Sequence, residues 1–130
     1  MQAVFNIICK LEFLKPTQIT SLLTNGANEA ILTHTGNTFQ LPLSRSSARY
    51  GCQSDRSAAG IIYNINVSAR LKENINDLEP GIYLITVDDG NTYIVGSKEF
   101  PVRYNSEENL TEKGFNFSYK SLTKPLKRHI

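Results

Sequence analysis

From Ile61 to Leu71 the side chains sort by parity: Ile61, Tyr63, Ile65, Val67, Ala69 and Leu71 fall on one side, Asn64, Asn66, Ser68 and Arg70 on the other. A period of two separates those sets onto opposite faces of an extended chain, whereas a 3.6-residue period would mix them. The segment therefore reads as a long, half-buried strand. The same alternation sets Ile7, Cys9, Leu11 and Phe13 against Lys10 and Glu12, and sets Phe115, Phe117 and Tyr119 against Asn116, Ser118 and Lys120, so strands open and close the chain.

Between them, Gly81–Val87 and Thr92–Val95 flank Asp88-Asp89-Gly90-Asn91, where Asp89-Gly90 suits the two positive-φ positions of a type I′ hairpin turn. Ala30–His34 and Thr38–Leu41 predict a second hairpin around Thr35-Gly36-Asn37, and Phe100–Tyr104 a short strand that Pro101 places at an edge or bend. Helical turns are expected over Glu73–Leu78, ahead of Pro80-Gly81, and over Thr17–Leu23. The fold class is all-β: a single-domain antiparallel β-sandwich or small β-barrel of seven to eight strands, built from short strands punctuated by Gly, Pro, Asn and Asp. At 130 residues the chain reads as one domain, 1–130. Two segments are expected to stand apart from the strands, a flexible loop over 44–60 and a C-terminal arm over 120–130.

Charge is distributed unevenly. The formal total is +2, but Lys113, Lys120, Lys124, Lys127 and Arg128 meet no acid after residue 112 and sum to +5, leaving −3 before them. Residues 44–60 carry Arg45, Arg49 and Arg56 against Asp55. A mean hydropathy of −0.28 with 20% charged residues excludes disordered, collagen-like and transmembrane-helical classes. Met1–Leu14 has neither a basic n-region nor an uninterrupted apolar run, so synthesis in the cytoplasm without Sec export is expected, and the Asn-X-Ser/Thr tripeptides at 66, 109 and 116 are set aside. In that setting Cys9 and Cys52 read as small buried hydrophobes.

Catalytic constellations are absent from the pattern. His34 lies in a predicted strand and His129 near the end of the tail, so neither is placed as a base. The histidines and cysteines lack zinc-ligand spacing. Asp88–Asn91 lacks the later bidentate Glu of a calcium loop, Glu107-Glu108 reads as a solvated loop, and the eight glycines form no phosphate-binding motif. Neither enzyme chemistry nor a cofactor or metal is expected. Arginines and tyrosines around Arg45–Arg56 invite comparison with single-strand-binding barrels, but the modest charge does not favour nucleic acid.

Thr86–Arg103 contains Asp89-Gly90-Asn91-Thr92-Tyr93 running to Gly96, then Phe100-Pro101-Val102-Arg103. With Gly114–Ser121 and Pro125 downstream, and Ser57–Tyr63 upstream, it resembles small virion proteins of tailed phages and prophages of Bacteroides-type hosts, over about half the chain. The resemblance implies a non-enzymatic virion protein made in the bacterial host cytoplasm: a head-tail connector or neck ring subunit, or a tail component. Its partners would be copies of itself in a ring and other neck or tail proteins, with no membrane. The residues expected at subunit interfaces are Arg45, Arg49, Tyr50, Arg56, Lys120, Lys124, Lys127 and Arg128. Two alternatives stay open. One is a carbohydrate- or peptide-binding β-sandwich using exposed aromatics such as Tyr50, Tyr83 or Tyr104. The other is a barrel that binds single-stranded nucleic acid.

Overall fold

A computed structural model describes residues 4–24, 29–44, 48–58, 60–72, 80–97, 101–108, 113–121 and 125–128, and of residues 4–6, 57, 105–108 and 113 only the backbone. The elements are β1 (Val4–Leu14), a 3₁₀ turn (Pro16–Gln18), β2 (Ile19–Thr24), β3 (Glu29–His34), β4 (Phe39–Gln40), β5 (Arg49–Ser57), β6 (Gly60–Leu71), β7 (Ile82–Val87), β8 (Thr92–Val95), β9 (Asn105–Glu108), β10 (Lys113–Ser121) and β11 (Leu126–Arg128). The all-β expectation holds, with eleven strands among the described residues instead of seven or eight. They form one hydrogen-bonded sheet in the order β2, β3, β11, β8, β7, β1, β5, β6, β10, β9, with β4 beside β1. Every pair is antiparallel except β3 with β11.

The sheet folds over on itself at β1. The first part of β1, to Ile7, pairs with β5, and the part from Ile8 onward pairs with β7. Four strand steps separate β7 from β10 in the sheet, about 19 Å if it were flat. Yet the Tyr83 ring on β7 lies 4.9 Å from Phe117 and 5.7 Å from Phe115 on β10. The two halves therefore face one another as a sandwich. Between them sit Ile8, Leu11 and Phe13 of β1, Tyr50 of β5, Ile65, Val67, Ala69 and Leu71 of β6, Tyr83, Ile85 and Val87 of β7, and Phe115 and Phe117 of β10. A second core lies on the opposite face of β7, where Ile82 and Leu84 meet Leu14, Ile19, Ala30, Leu32 and Ile94. The sheet beyond β8 curls back to cover that face. Gly81 shows how tightly the strand entering β7 is seated, since a Cβ there would collide with the Phe13 ring and lie 2.6 Å from the Leu14 carbonyl.

Several sequence expectations are revised. In β1 the register slips between Ile8 and Lys10, and this bulge inverts the facing of the side chains. Ile8, Leu11 and Phe13 point inward while Ile7 and Cys9 are exposed, so Cys9 is not a core residue; Cys52 is half-buried, and no disulfide joins the two. The hairpin after β7 is longer than a type I′ turn. Gly90 N–H donates to the Val87 carbonyl at 3.0 Å, which makes Asp88 and Asp89 the central residues and leaves Gly90 at φ 90° behind them, as in a three-residue connection.

β3 does not form a hairpin with β4, because β2 and β11 occupy both of its edges and β4 pairs with β1 instead. The helical turn expected over Thr17–Leu23 contracts to the 3₁₀ turn, and the chain then extends as β2. Gln18 fixes that change of direction: its Nε2 donates to the carbonyls of Thr35 (2.9 Å) and Asn37 (3.2 Å), and Thr35 N–H donates to the Gln18 carbonyl (2.8 Å). Val102 makes a single bridge to Gly81, and the strand that follows is β9, which contains Glu107 and Glu108. Glu73–Leu78 and Phe100 lie outside the described residues.

The two expected appendages are part of the sheet. Residues 49–57 of the 44–60 loop are β5, paired along its length with β6 and over Arg49–Cys52 also with β1; this pairing overrides the weak strand preference of its Gly, Gln, Ser and Asp. Of the expected arm 120–130, Lys120 and Ser121 end β10, and Leu126–Arg128 enter the sheet between β3 and β8.

Candidate functional site

The residues expected at subunit interfaces do not form one patch. Arg49 and Arg56 are exposed on β5, and Lys120 is exposed on β10 opposite Asn64 of β6. Lys127 and Arg128 are half-buried in β11, in the other half of the sandwich, with Lys127 in register beside Glu29. Tyr50 is a correction: it is buried and its ring stacks on Tyr93 at 5.6 Å, since its parity on β5 turns it into the sandwich. Burial, then the neighbouring Cys52 and Tyr93, push its phenol above the ordinary range. Arg45 and Lys124 lie outside the described residues.

Tyr83 and Tyr104, like Tyr50, do not form the expected ligand platform. Tyr83 is fully buried, and Tyr104 stacks on Phe115 at 4.9 Å. The ring faces that would hold a sugar or a base are thus used inside the core. His34 Nδ1 lies 3.1 Å from the Gly36 carbonyl, a contact within its own turn. The Asp89 carboxylate accepts hydrogen bonds from the Asn91 backbone N–H (2.9 Å) and side-chain amide (3.0 Å), which keeps that turn closed. Glu12 accepts a hydrogen bond from Thr38 and lies 3.6 Å from the Lys10 ammonium. Among the described residues no three His, Cys, Asp or Glu side chains come together as a metal-binding group. No helix there is long and apolar enough to cross a membrane.

What the fold leaves open is its periphery. Among the described residues β2 and β9 end the sheet path, each paired on one side. The far part of the β5–β6 hairpin extends past the core: of the described side chains from Gln53 to Asn64, none is buried, and Ile61 is exposed. Asn64 Nδ2 donates to the Asp55 carboxylate at 2.5 Å, tying the two strands together there. The outer face of β6 and β10 is polar, with Ser118 Oγ donating to Asn66 Oδ1 at 2.7 Å.

The other end of the sheet is apolar. On the β2–β3 hairpin, Leu23 stands opposite Ile31, and they are 64% and 49% exposed. On its inner face a groove of about 280 Å³ runs between Ile19, Leu22, Leu32, Ile82, Ile94 and Ser97. Segregation of charge along the chain does not mark this surface, but depletion of charge does. Residues 16–44 hold a single Asp, Glu, Lys or Arg, namely Glu29, in a chain that is 20% charged.

No protein-family model matches the chain, and neither the curated proteins nor the solved structures provide a match to it.

Proposed function

We propose that this protein is a non-enzymatic structural subunit of a phage virion, part of a head-tail connector or neck ring or of the tail, which works by joining copies of itself to neighbouring virion proteins. The observation that carries this reading is the open sheet: two terminal strands, β2 and β9, are each paired on one side among the described residues. Unpaired strand edges are templates for further strands, so an edge at each end lets one subunit join neighbours on two sides. The β5–β6 hairpin, with Arg49 and Arg56 exposed on β5, adds a projecting element able to reach an adjacent subunit. Lys120 adds charge beside it, whereas Lys127 and Arg128 sit in β11 and contribute to the sheet rather than to an arm. The resemblance over Thr86–Arg103 and Gly114–Ser121 supplies the virion context.

Mass spectrometry and electron cryomicroscopy of purified particles test the proposal. The expected result is several copies per particle arranged around the neck or tail axis. A chain expressed during infection but missing from particles overturns it.

A further inference from the structure

We propose that β2 pairs with β2 of a second copy across a two-fold axis, giving an isologous dimer through the charge-free edge strand of the β2–β3 hairpin. This contact does not depend on the virion reading, and it leaves β9 and the β5–β6 hairpin available for other neighbours.

Three observations converge on it. First, β2 is a terminal strand among the described residues, and its sequence Ile19-Thr20-Ser21-Leu22-Leu23-Thr24 contains no charge and no proline, the usual devices that keep an edge from pairing. Second, the exposed Leu23–Ile31 pair lies on the outer face of the hairpin, while Leu22 and Leu32 line the inner groove. Third, at 20% charged residues, about six charges would be expected over residues 16–44, and the sequence holds one, Glu29.

The last point selects the occupant. Across a two-fold axis each group near the axis meets its own twin, so any charge there repels itself, whereas a contact with a different protein gains specificity from opposite charges. A charge-free edge fits a second copy of this chain. The pleat then selects the register. Directly opposed residues of antiparallel strands point to the same face, and a two-fold perpendicular to the sheet through Leu23 sets Leu23 opposite Leu23 of the second copy. Ile31 then flanks the pair on each side, and one apolar row crosses four strands. On the other face Leu22 meets Thr24.

Light scattering on the full chain, eluted from a sizing column after loading at about 100 µM, tests the contact. Wild-type protein is expected at twice 14.6 kDa. Leu23→Lys and Leu23→Glu are each expected to run as single copies, with dissociation constants raised about a hundredfold by like charges on the axis. Mixing the two variants is expected to restore the dimer, which also shows that both are folded. Ile61→Lys, at an exposed apolar residue of the other half, is expected to leave the dimer intact. A single-copy wild type, a Leu23→Lys variant that remains dimeric, a mixture that fails to associate, or equal dissociation by Ile61→Lys each overturns the proposal. A single-copy wild type that is nonetheless found in virions separates failure here from failure of the virion assignment.

Discussion

Tyr83 stands at the centre of the sandwich with its ring against Phe13, Phe115 and Phe117 and its hydroxyl buried without a hydrogen-bond partner among the described residues. An unsatisfied buried hydroxyl costs about 1–3 kcal/mol, so removing it relieves a cost instead of losing a bond. Tyr83→Phe is therefore expected to be as stable as wild type at pH 7, or more stable by about 1 kcal/mol, as urea denaturation would show. Burial, and then the nearby Tyr104, push the Tyr83 phenol above its ordinary value of 10.0. With the folded-state value raised, the stabilisation is complete below the unfolded value and is lost as pH rises beyond it. Tyr50, Tyr93 and Tyr119 shift the same way, each chiefly through burial. Wild-type stability should thus fall above about pH 10, and Tyr83→Phe should fall less steeply. A variant more than about 1 kcal/mol less stable at pH 7 would mean that the hydroxyl has a partner. Residue parity was legible in the sequence for Ile65, Val67, Ala69, Leu71, Phe115 and Phe117, all of which are buried as the alternation predicts. It failed at Ile7 and Cys9, because a bulge shifts phase without leaving a residue signature.

Among the elements, β11 is the one whose role reverses expectation. Three residues of the tail fill the slot between β3 and β8, and Leu126 packs against the second core. Nothing in Leu126-Lys127-Arg128 announces a strand; it is short, follows Pro125, and pairs in parallel with a strand about a hundred residues earlier, so local pattern holds no trace of it. β5 was hidden for the opposite reason, since its polar composition resembles a loop until its two partners are known. The hairpin of β7 and β8, by contrast, was readable because its strands adjoin and its turn carries Asp-Gly. Truncation after Ser121 consequently should not leave an intact core with a lost arm. It should release the β2–β3 hairpin from β8 while β5, β6 and β10 keep their pairing. Hydrogen exchange would register this as lost protection across Ile19–His34 with protection retained across Ile65–Leu71. Unchanged protection in β2 and β3 would show that β11 does not hold them.

Across the whole molecule, β7 separates the two cores. Ile82, Tyr83, Leu84 and Ile85 are all buried, alternating between the second core and the sandwich interior, as in strands covered on both faces. Its neighbour across the sandwich, β6, has one covered face, with Ile65, Val67, Ala69 and Leu71 buried and the residues between them exposed. The difference sets how freely each strand can drift in sequence. In a library of single substitutions selected for folded protein, positions 65–71 should accept polar residues at every second site, while 82–85 should reject them at four consecutive sites. A polar-tolerant position inside 82–85 would contradict the second core. Inheritance in this fold is then lopsided: the outer strands are free to change what the subunit touches, and a four-residue stretch of β7 is fixed because every side chain there enters one core or the other.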